Sequence, residues 1–229
     1  MADAFFVTGT DTGVGKTLVT AALLHAAAAR GLRSLGLKPL ASGSERAEDG
    51  RLLNEDALAL QQAASIKLPY AAVNALSLEP AIAPHLAARE CGLRLSAREL
   101  ADHCRRQMVH GHDLLLVEGA GGWRVPLNES ETLADLARLL GLPVVLVVGM
   151  RLGCVNHAML SAEAIAADGL QLAGWVGSQT DPQMSRVEQN LRTLEDRIAA
   201  PCLGFLPYRA DIGFRDAAQS LDLERLFGA

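Results

Sequence analysis

One stretch near the N-terminus narrows the possible folds more than any other. An apolar run over residues 4–7 leads into Thr8-Gly9-Thr10-Asp11-Thr12-Gly13-Val14-Gly15-Lys16-Thr17. An alanine- and leucine-rich helical pattern follows over 17–30, with Gly31 placed to end it. Strand, glycine loop and helix, in that order, form the context of a phosphate-binding loop. Glycines let the backbone curl so that successive N–H groups point inward at an anion, and the helix N-terminus adds its partial positive charge. In such a loop Lys16 reaches the β and γ phosphates of a nucleoside triphosphate, and the Thr17 hydroxyl is placed to ligate Mg²⁺. The spacing departs from G-x4-G-K-[ST]: that pattern asks for glycine where Thr10 stands, and Gly9 falls one residue early. A dinucleotide fingerprint fits less well, because it needs a glycine or alanine where Leu18 stands.

The rest of the chain continues the alternation. Apolar runs over 34–38, 113–117, 143–148, 172–176 and 202–206 predict further strands, and helical patterns cover 53–63, 97–109, 132–140, 155–167 and 183–199. Runs that are apolar throughout suit strands buried on both faces. Such β–α alternation predicts an α/β chain with a mostly parallel sheet and helices on both faces. The expectation is a single-domain P-loop NTPase fold over residues 1–229, a length usual for one such unit. The polar segment 42–50 reads as a mobile loop, and the tail after Tyr208 is weakly patterned.

Ligands of such sheets bind at the carboxyl ends of the strands. Lys38 ends the second apolar run; it faces the phosphate site or is a surface lysine, and position alone does not separate the two. Asp56 is either an acid in the first turn of a helix or a Mg²⁺ carboxylate, and spacing favours the first. Glu118 directly follows the third apolar run, where P-loop proteins hold a second Mg²⁺-linked carboxylate. Behind it, Gly119-Ala120-Gly121-Gly122 allows a ligand to approach the backbone closely. The segment 149–157 is another glycine loop leading into a helix, a weaker anion signal.

The formal net charge of −5, without a Lys/Arg block, argues against a nucleic-acid partner. Four cysteines without a CxxC pair, and an N-terminus with neither a basic region nor a long apolar stretch, predict a cytoplasmic protein with free thiols. The apolar run 144–148 falls far short of the ~20 residues needed to cross a bilayer. Cys104 with His103, His110 and His112 lacks ligand spacing, so a solvated helix end is expected there. His25 reads as a packing or surface residue; Trp123 and Trp175 read as packing residues, with Trp123 also placed to wall a ligand pocket.

Taken together, the segments FVTGTDTGVGKT, GLKPLASGSE, NEDALALQ, EPAIAPHLAA, LLLVEGAGGWRVPL, PVVLVVGMRLGCVNHAMLSAEAI and LAGWV closely resemble the dethiobiotin synthetases. The off-register first glycine is itself a trait of that family. The resemblance implies an ATP-dependent cyclo-ligase of biotin biosynthesis. Such an enzyme carboxylates 7,8-diaminopelargonic acid with CO₂, phosphorylates the carbamate and closes the ureido ring, giving dethiobiotin, ADP and phosphate. It implies Mg²⁺ held by Thr17, Asp56 and Glu118, with Lys38 and Lys16 as catalytic lysines. The implied nucleotide site takes in Thr12, Gly13, Val14, Gly15, Lys16, Thr17 and Leu18, then Asp56, Glu118, Gly119, Ala120 and Gly121. Ser178, Gln179, Pro207, Tyr208 and Arg209 fall where the base would lie. Ser42, Gly153, Cys154 and Asn156 match substrate-contacting positions, and the family's homodimers place that site at the subunit interface.

Two positions depart from the family. Many members carry Glu where this chain has Gly13, and some read adenine with Asn-Asp where Ser178 and Gln179 stand. The second departure predicts looser base selectivity, admitting other nucleoside triphosphates beside ATP. A partitioning-type ATPase would carry a second lysine near the start of the loop, where Gly9-Thr10-Asp11 stands. A cobyrinic acid synthase would need an added glutaminase domain, for which 229 residues leave no room.

Overall fold

The computed structural model describes residues 3–227; Met1 and Ala2, part of the N-terminal stretch considered above, lie outside them, as do Gly228 and Ala229. Its centre is a six-stranded sheet of β1 (Asp3–Gly9), β2 (Ser34–Leu37), β3 (Leu114–Gly122), β4 (Val144–Met150), β5 (Leu172–Gln179) and β6 (Cys202–Leu206). Their spatial order is β6-β5-β4-β1-β3-β2, with every neighbouring pair parallel. Six helices matter most: α1 (Lys16–Ala29), α2 (Glu55–Ala63), α3 (Ala97–Gln107), α4 (Leu133–Leu140), α5 (Cys154–Ala167) and α6 (Val187–Arg197).

Both faces of the sheet are covered, as uniformly apolar strands require. Phe5 and Val7 of β1 pack with Val19, Leu23 and Leu24 of α1 on one face. Phe6, between them, packs on the other with Leu100 of α3 and Leu136 of α4. Farther along that layer, Leu146, Val148 and Trp175 pack with Ala158 of α5 and Leu194 of α6. The chain leaves β1 toward β3 and β2 on one side and toward β4, β5 and β6 on the other. The carboxyl end of β1 is therefore the point where strand order reverses and a crevice opens.

Four expectations are corrected. The third strand continues through Glu118 to Gly122, so that acid lies inside the strand rather than after it. The second strand stops at Leu37 and leaves Lys38 outside, because Pro39 has no N–H with which to continue the ladder. The segment 42–50 is not a free loop: Glu45–Arg46 pairs antiparallel with Leu52–Leu53. The tail folds into the helices Phe214–Ala217 and Leu223–Phe227, whose Ala217, Leu223 and Leu226 join the core beneath α1. The short helices Tyr70–Val73 and Pro84–Glu90, and the pairing of Leu40–Ser42 with Leu76–Leu78, had no clear periodic signal. Among the described residues no helix is long and apolar enough to cross a membrane.

Candidate active site

The glycine loop owes its shape to one buried side chain. Val14 is 3% exposed and wedges between β1 and β4. A Cβ added at Gly9 would lie 2.7 Å from its Cγ2, and one added at Gly149 would lie 2.6 Å from its Cγ1. That contact explains the early glycine, which makes room for Val14. Thr10, in the position where the usual pattern has glycine, ties the loop to β4. Its N–H donates to the Val147 carbonyl at 2.9 Å, and its hydroxyl accepts from the Gly149 N–H at 3.1 Å. Gly13 and Gly15 take φ of +72° and +85°, the left-handed region that favours glycine. Gly13 has no atom within 4 Å of where a side chain would begin, so its left-handed backbone, and not a clash, is what favours glycine there.

Lys16 opens α1 and is 7% exposed. Its ammonium donates to the Asp11 carbonyl at 2.8 Å, a partner within its own loop. Burial, joined by the positive charge of Lys38, lowers its pKa to about 8. The second lysine is held very differently. Sheet register sets Leu37 beside Val117 and Val7 beside Glu118, so the end of β2 brings Lys38 next to Glu118. Lys38 Nζ lies 2.6 Å from Glu118 Oε1, 3.0 Å from Asp56 Oδ2 and 3.0 Å from the Gly119 carbonyl oxygen. Burial opposes its charge, but Glu118 and Asp56 outweigh burial and hold its pKa above the ordinary lysine value. Burial likewise opposes ionisation of Asp56, yet Lys38 holds that carboxyl below the usual carboxylate range.

The Thr17 hydroxyl donates to the same Glu118 Oε1 at 2.8 Å. A hydroxyl and two carboxylates thus converge at the mouth of the glycine loop. Glu118 Oε2 is buried without a hydrogen-bond partner, an acceptor left over for a ligand. Hard oxygen donors of this kind suit Mg²⁺, which keeps several waters and phosphate oxygens and needs only one or two carboxylates. No cluster of three or more His, Cys, Asp or Glu that could hold a metal exists among the described residues; here the third donor is a threonine hydroxyl.

These groups line one cavity of about 730 Å³, walled by Thr12, Gly13, Gly15, Lys16, Thr17, Lys38, Ser42, Asp56, Ala120 and Gly121. Ala81, Ile82, Ala83 and Pro84 close it with an apolar wall, which sequence reasoning did not assign residue by residue. Other expected residues fall elsewhere. Val14, Leu18, Glu118 and Gly119 do not line the cavity: Val14 is buried between Gly9 and Gly149, Glu118 is buried against Thr17 and Lys38, Leu18 packs on the core beneath α1, and Gly119 packs on Phe6. Ser178 lies over the glycine loop, its Oγ 2.7 Å from where a Cβ on Gly15 would sit. Gln179 accepts from the Tyr208 N–H at 3.3 Å and donates to the Asp181 carbonyl at 3.0 Å, tying Pro207, Tyr208 and Arg209 to the end of β5. Cys154 is buried in the core beside Trp175, and its N–H is spent on the Arg151 carbonyl at 2.9 Å. Gly153 and Asn156 are exposed at the start of α5 and do not line the cavity. Trp123 is buried against Phe6 and donates to Asp168 at 2.7 Å. His103 bonds the Ala72 carbonyl, and Cys104 lies in the core with its thiol pushed up to about 12 by burial.

A family profile described as an AAA domain matches residues 3–215. Among solved structures, the MinD cell division protein of Aquifex aeolicus superposes with a TM-score of 0.59 at 16% identity, covering 100% of this chain and 98% of that one. A ParA family ATPase of Chlorobium tepidum TLS gives 0.54 at 13% identity, covering 100% and 90%. These place the fold among the P-loop NTPases. Two curated relatives are named ATP-dependent dethiobiotin synthetase BioD. That of Pseudomonas paraeruginosa is 60% identical over 223 residues, 97% of each chain. That of Cellvibrio japonicus is 57% identical over 227 residues, 99% of this chain and 98% of its own. Identity of that extent, over a chain whose glycine loop, two lysines and Asp56 line one cavity with Glu118 buried against Lys38, means that the protein belongs to the ATP-dependent dethiobiotin synthetases, ligases that form a C–N bond.

Proposed function

We propose that the cavity brings together a nucleoside triphosphate, ATP first, and the carbamate of 7,8-diaminopelargonic acid, and that it drives ureido ring closure through a phosphorylated carbamate. One observation carries this reading: Lys16 and Lys38 share a single cavity, one on the phosphate loop and one opposite it. Two anions must meet there, so catalysis is largely positioning and charge stabilisation. Lys16 neutralises the phosphates. Lys38 faces the space between phosphate and carbamate and stabilises charge on the transferred group. Ser42 and the apolar wall of Ile82 and Pro84 suit the substrate's amine end and its aliphatic chain. Thr17, Asp56 and Glu118 would hold Mg²⁺, which when bound offsets phosphate charge and orients the triphosphate. Gln179, by bracing Tyr208, shapes the edge on which the base rests. Its Ser178 neighbour lacks the paired donor and acceptor of an amide, which supports tolerance of other bases.

The reading extends to a cytoplasmic homodimer built from one domain per chain. Only Cys154, Ala158 and Ile165 of the fourteen residues of α5 are buried, although the helix is rich in apolar residues. Leu160 is 57% exposed and Leu152, just before the helix, 95%. An apolar face of that kind supports a subunit interface, and Gly153 and Asn156 on it would meet the substrate across the dimer. Phosphate release with and without diaminopelargonate and bicarbonate tests the activity, repeated on Lys38→Ala. Release that ignores the diamine, or a mutant with full activity, would overturn the reading.

A further inference from the structure

Lys38 stands outside the sheet, yet both of its main-chain polar groups are satisfied. Its N–H donates to the Val73 carbonyl at 2.9 Å, and its carbonyl accepts from Asn74 Nδ2. The Leu76 N–H then takes the Pro39 carbonyl at 3.1 Å. The segment just after the short helix Tyr70–Val73 therefore replaces the missing sheet neighbour at the point where Pro39 ends β2.

The same segment reaches Asp56. The Asn54 N–H donates to the Tyr70 hydroxyl at 2.7 Å, Tyr70 lies 2.9 Å from the Ser77 hydroxyl, and Ser77 donates to Asn74 Oδ1. Asn54 caps α2, its Oδ1 accepting from the N–H of Asp56 at 3.1 Å and of Ala57 at 3.4 Å. One run of donors thus points from Asn54 through Tyr70, Ser77 and Asn74 to the Lys38 carbonyl. Lys38 and Asn74 are each 3% exposed and Asn54 4%, so both ends of the chain of bonds are buried, while Tyr70 and Ser77 between them are half-buried. Buried networks whose members are all satisfied are rigid, and each bond polarises the next.

We propose that Asn74, acting with Tyr70 and Ser77, is a positioning residue for the reaction: it sets the main chain of Lys38 and the helix cap of Asp56 in one frame. The separation of the lysine ammonium from its carboxylate partners is thereby fixed from behind the site. None of the three lines the cavity. The proposal rests on Lys38 acting in catalysis.

The test is the turnover number per titrated nucleotide site for Asn74→Ala and Tyr70→Phe, with a non-hydrolysable ATP analogue counting the sites by calorimetry. Asn74→Ala should lower turnover per site about tenfold to a hundredfold, the scale of an ångström-sized misplacement. Tyr70→Phe, which keeps the ring and its packing, should lower it about threefold to tenfold and serves if Asn74→Ala does not fold. Analogue affinity should stay within about twofold for both, because the glycine loop is untouched. A merely structural role would remove binding sites and leave turnover per site alone. That outcome, or turnover per site within twofold of the parent, overturns the proposal. Full activity in Lys38→Ala would sink the functional reading along with it; an inactive Lys38→Ala beside a fully active Asn74→Ala would sink only this one.

Discussion

The two lysines of the site face one cavity but are built in opposite ways. Lys16 is bonded to a carbonyl five residues away in its own loop, and its charge is a burden that burial and its neighbour both resist. Lys38 sits between two carboxylates carried by distant parts of the chain and is held more firmly charged than a lysine in water. The first side of the site is local and poised, short of a counter-ion until phosphates arrive. The second is assembled by the fold and already neutralised. A P-loop thus supplies unspent positive potential, while the opposite wall supplies a fixed ammonium whose place depends on the structure behind it.

Methionine substitutions break this comparison most directly. Both Lys38→Met and Lys16→Met should lower diaminopelargonate-dependent phosphate release about a thousandfold, the upper range for loss of one charge-stabilising donor. Their stabilities should diverge. Lys38→Met leaves the fully buried Glu118 without its cation and should cost about 3 kcal/mol in urea unfolding. Lys16→Met removes a disfavoured charge and should leave the empty protein as stable as the parent or more so. Equal destabilisation of the two would refute the contrast.

Gly9→Ala comes next. Its Cβ would meet Val14 Cγ2 at 2.7 Å. Overpacking of this kind costs about 1–3 kcal/mol, and nucleotide affinity should fall about tenfold. Adding Val14→Ala should restore much of the affinity; no recovery would mean that the glycine is needed for some other reason.

The pH dependence sharpens the same point. The folded pKa of Lys16 is depressed to about 8 from an unfolded value of 10.5. Folding therefore disfavours its proton, and the empty protein gains stability as pH rises from about 8 toward 10.5. Phosphates need the protonated form, so nucleotide binding must take up a proton above that value. Affinity should weaken about tenfold between pH 7 and 9 and be flat in Lys16→Met, as titration calorimetry in buffers of different ionisation enthalpy would reveal. The smallest effect belongs to Arg151, paired with Asp11 while both side chains are nearly half exposed. Arg151→Ala should change stability by less than about 1 kcal/mol in thermal melts.

Much of this was legible in the chain. All six strands of the central sheet lie where short apolar runs predicted them, since such runs, bounded by turn residues, suit strands of a sheet covered on both faces. The main helices followed, with ends shifted by a few residues; the helix expected over 183–199 is Val187–Arg197. Lys16 and Thr17 could be placed because the loop that positions them is contiguous. Lys38 and Asp56 were undecided on position alone, because a lysine after a strand and an acid in a first helical turn are both common on surfaces. Asn74 and Tyr70 gave no signal at all: an asparagine bonded to a carbonyl thirty-six residues away has no period or spacing to reveal it. Asn54 was partly readable as a cap ahead of Glu55 and Asp56, but its tie to Tyr70 was not.

The sequence by itself determined the alternation of buried strands and helices and the phosphate loop, with its lysine and threonine. These depend on periodicity and on backbone freedom at neighbouring residues, which a linear chain displays. Only the tertiary structure decided that Lys38 is clasped by Glu118 and Asp56, that Val14 makes Gly9 necessary, and that α5 leaves an apolar face uncovered. Those outcomes rest on contacts between segments far apart in the chain, and their strength comes from burial, which takes charges and side chains out of water only once the layers have closed.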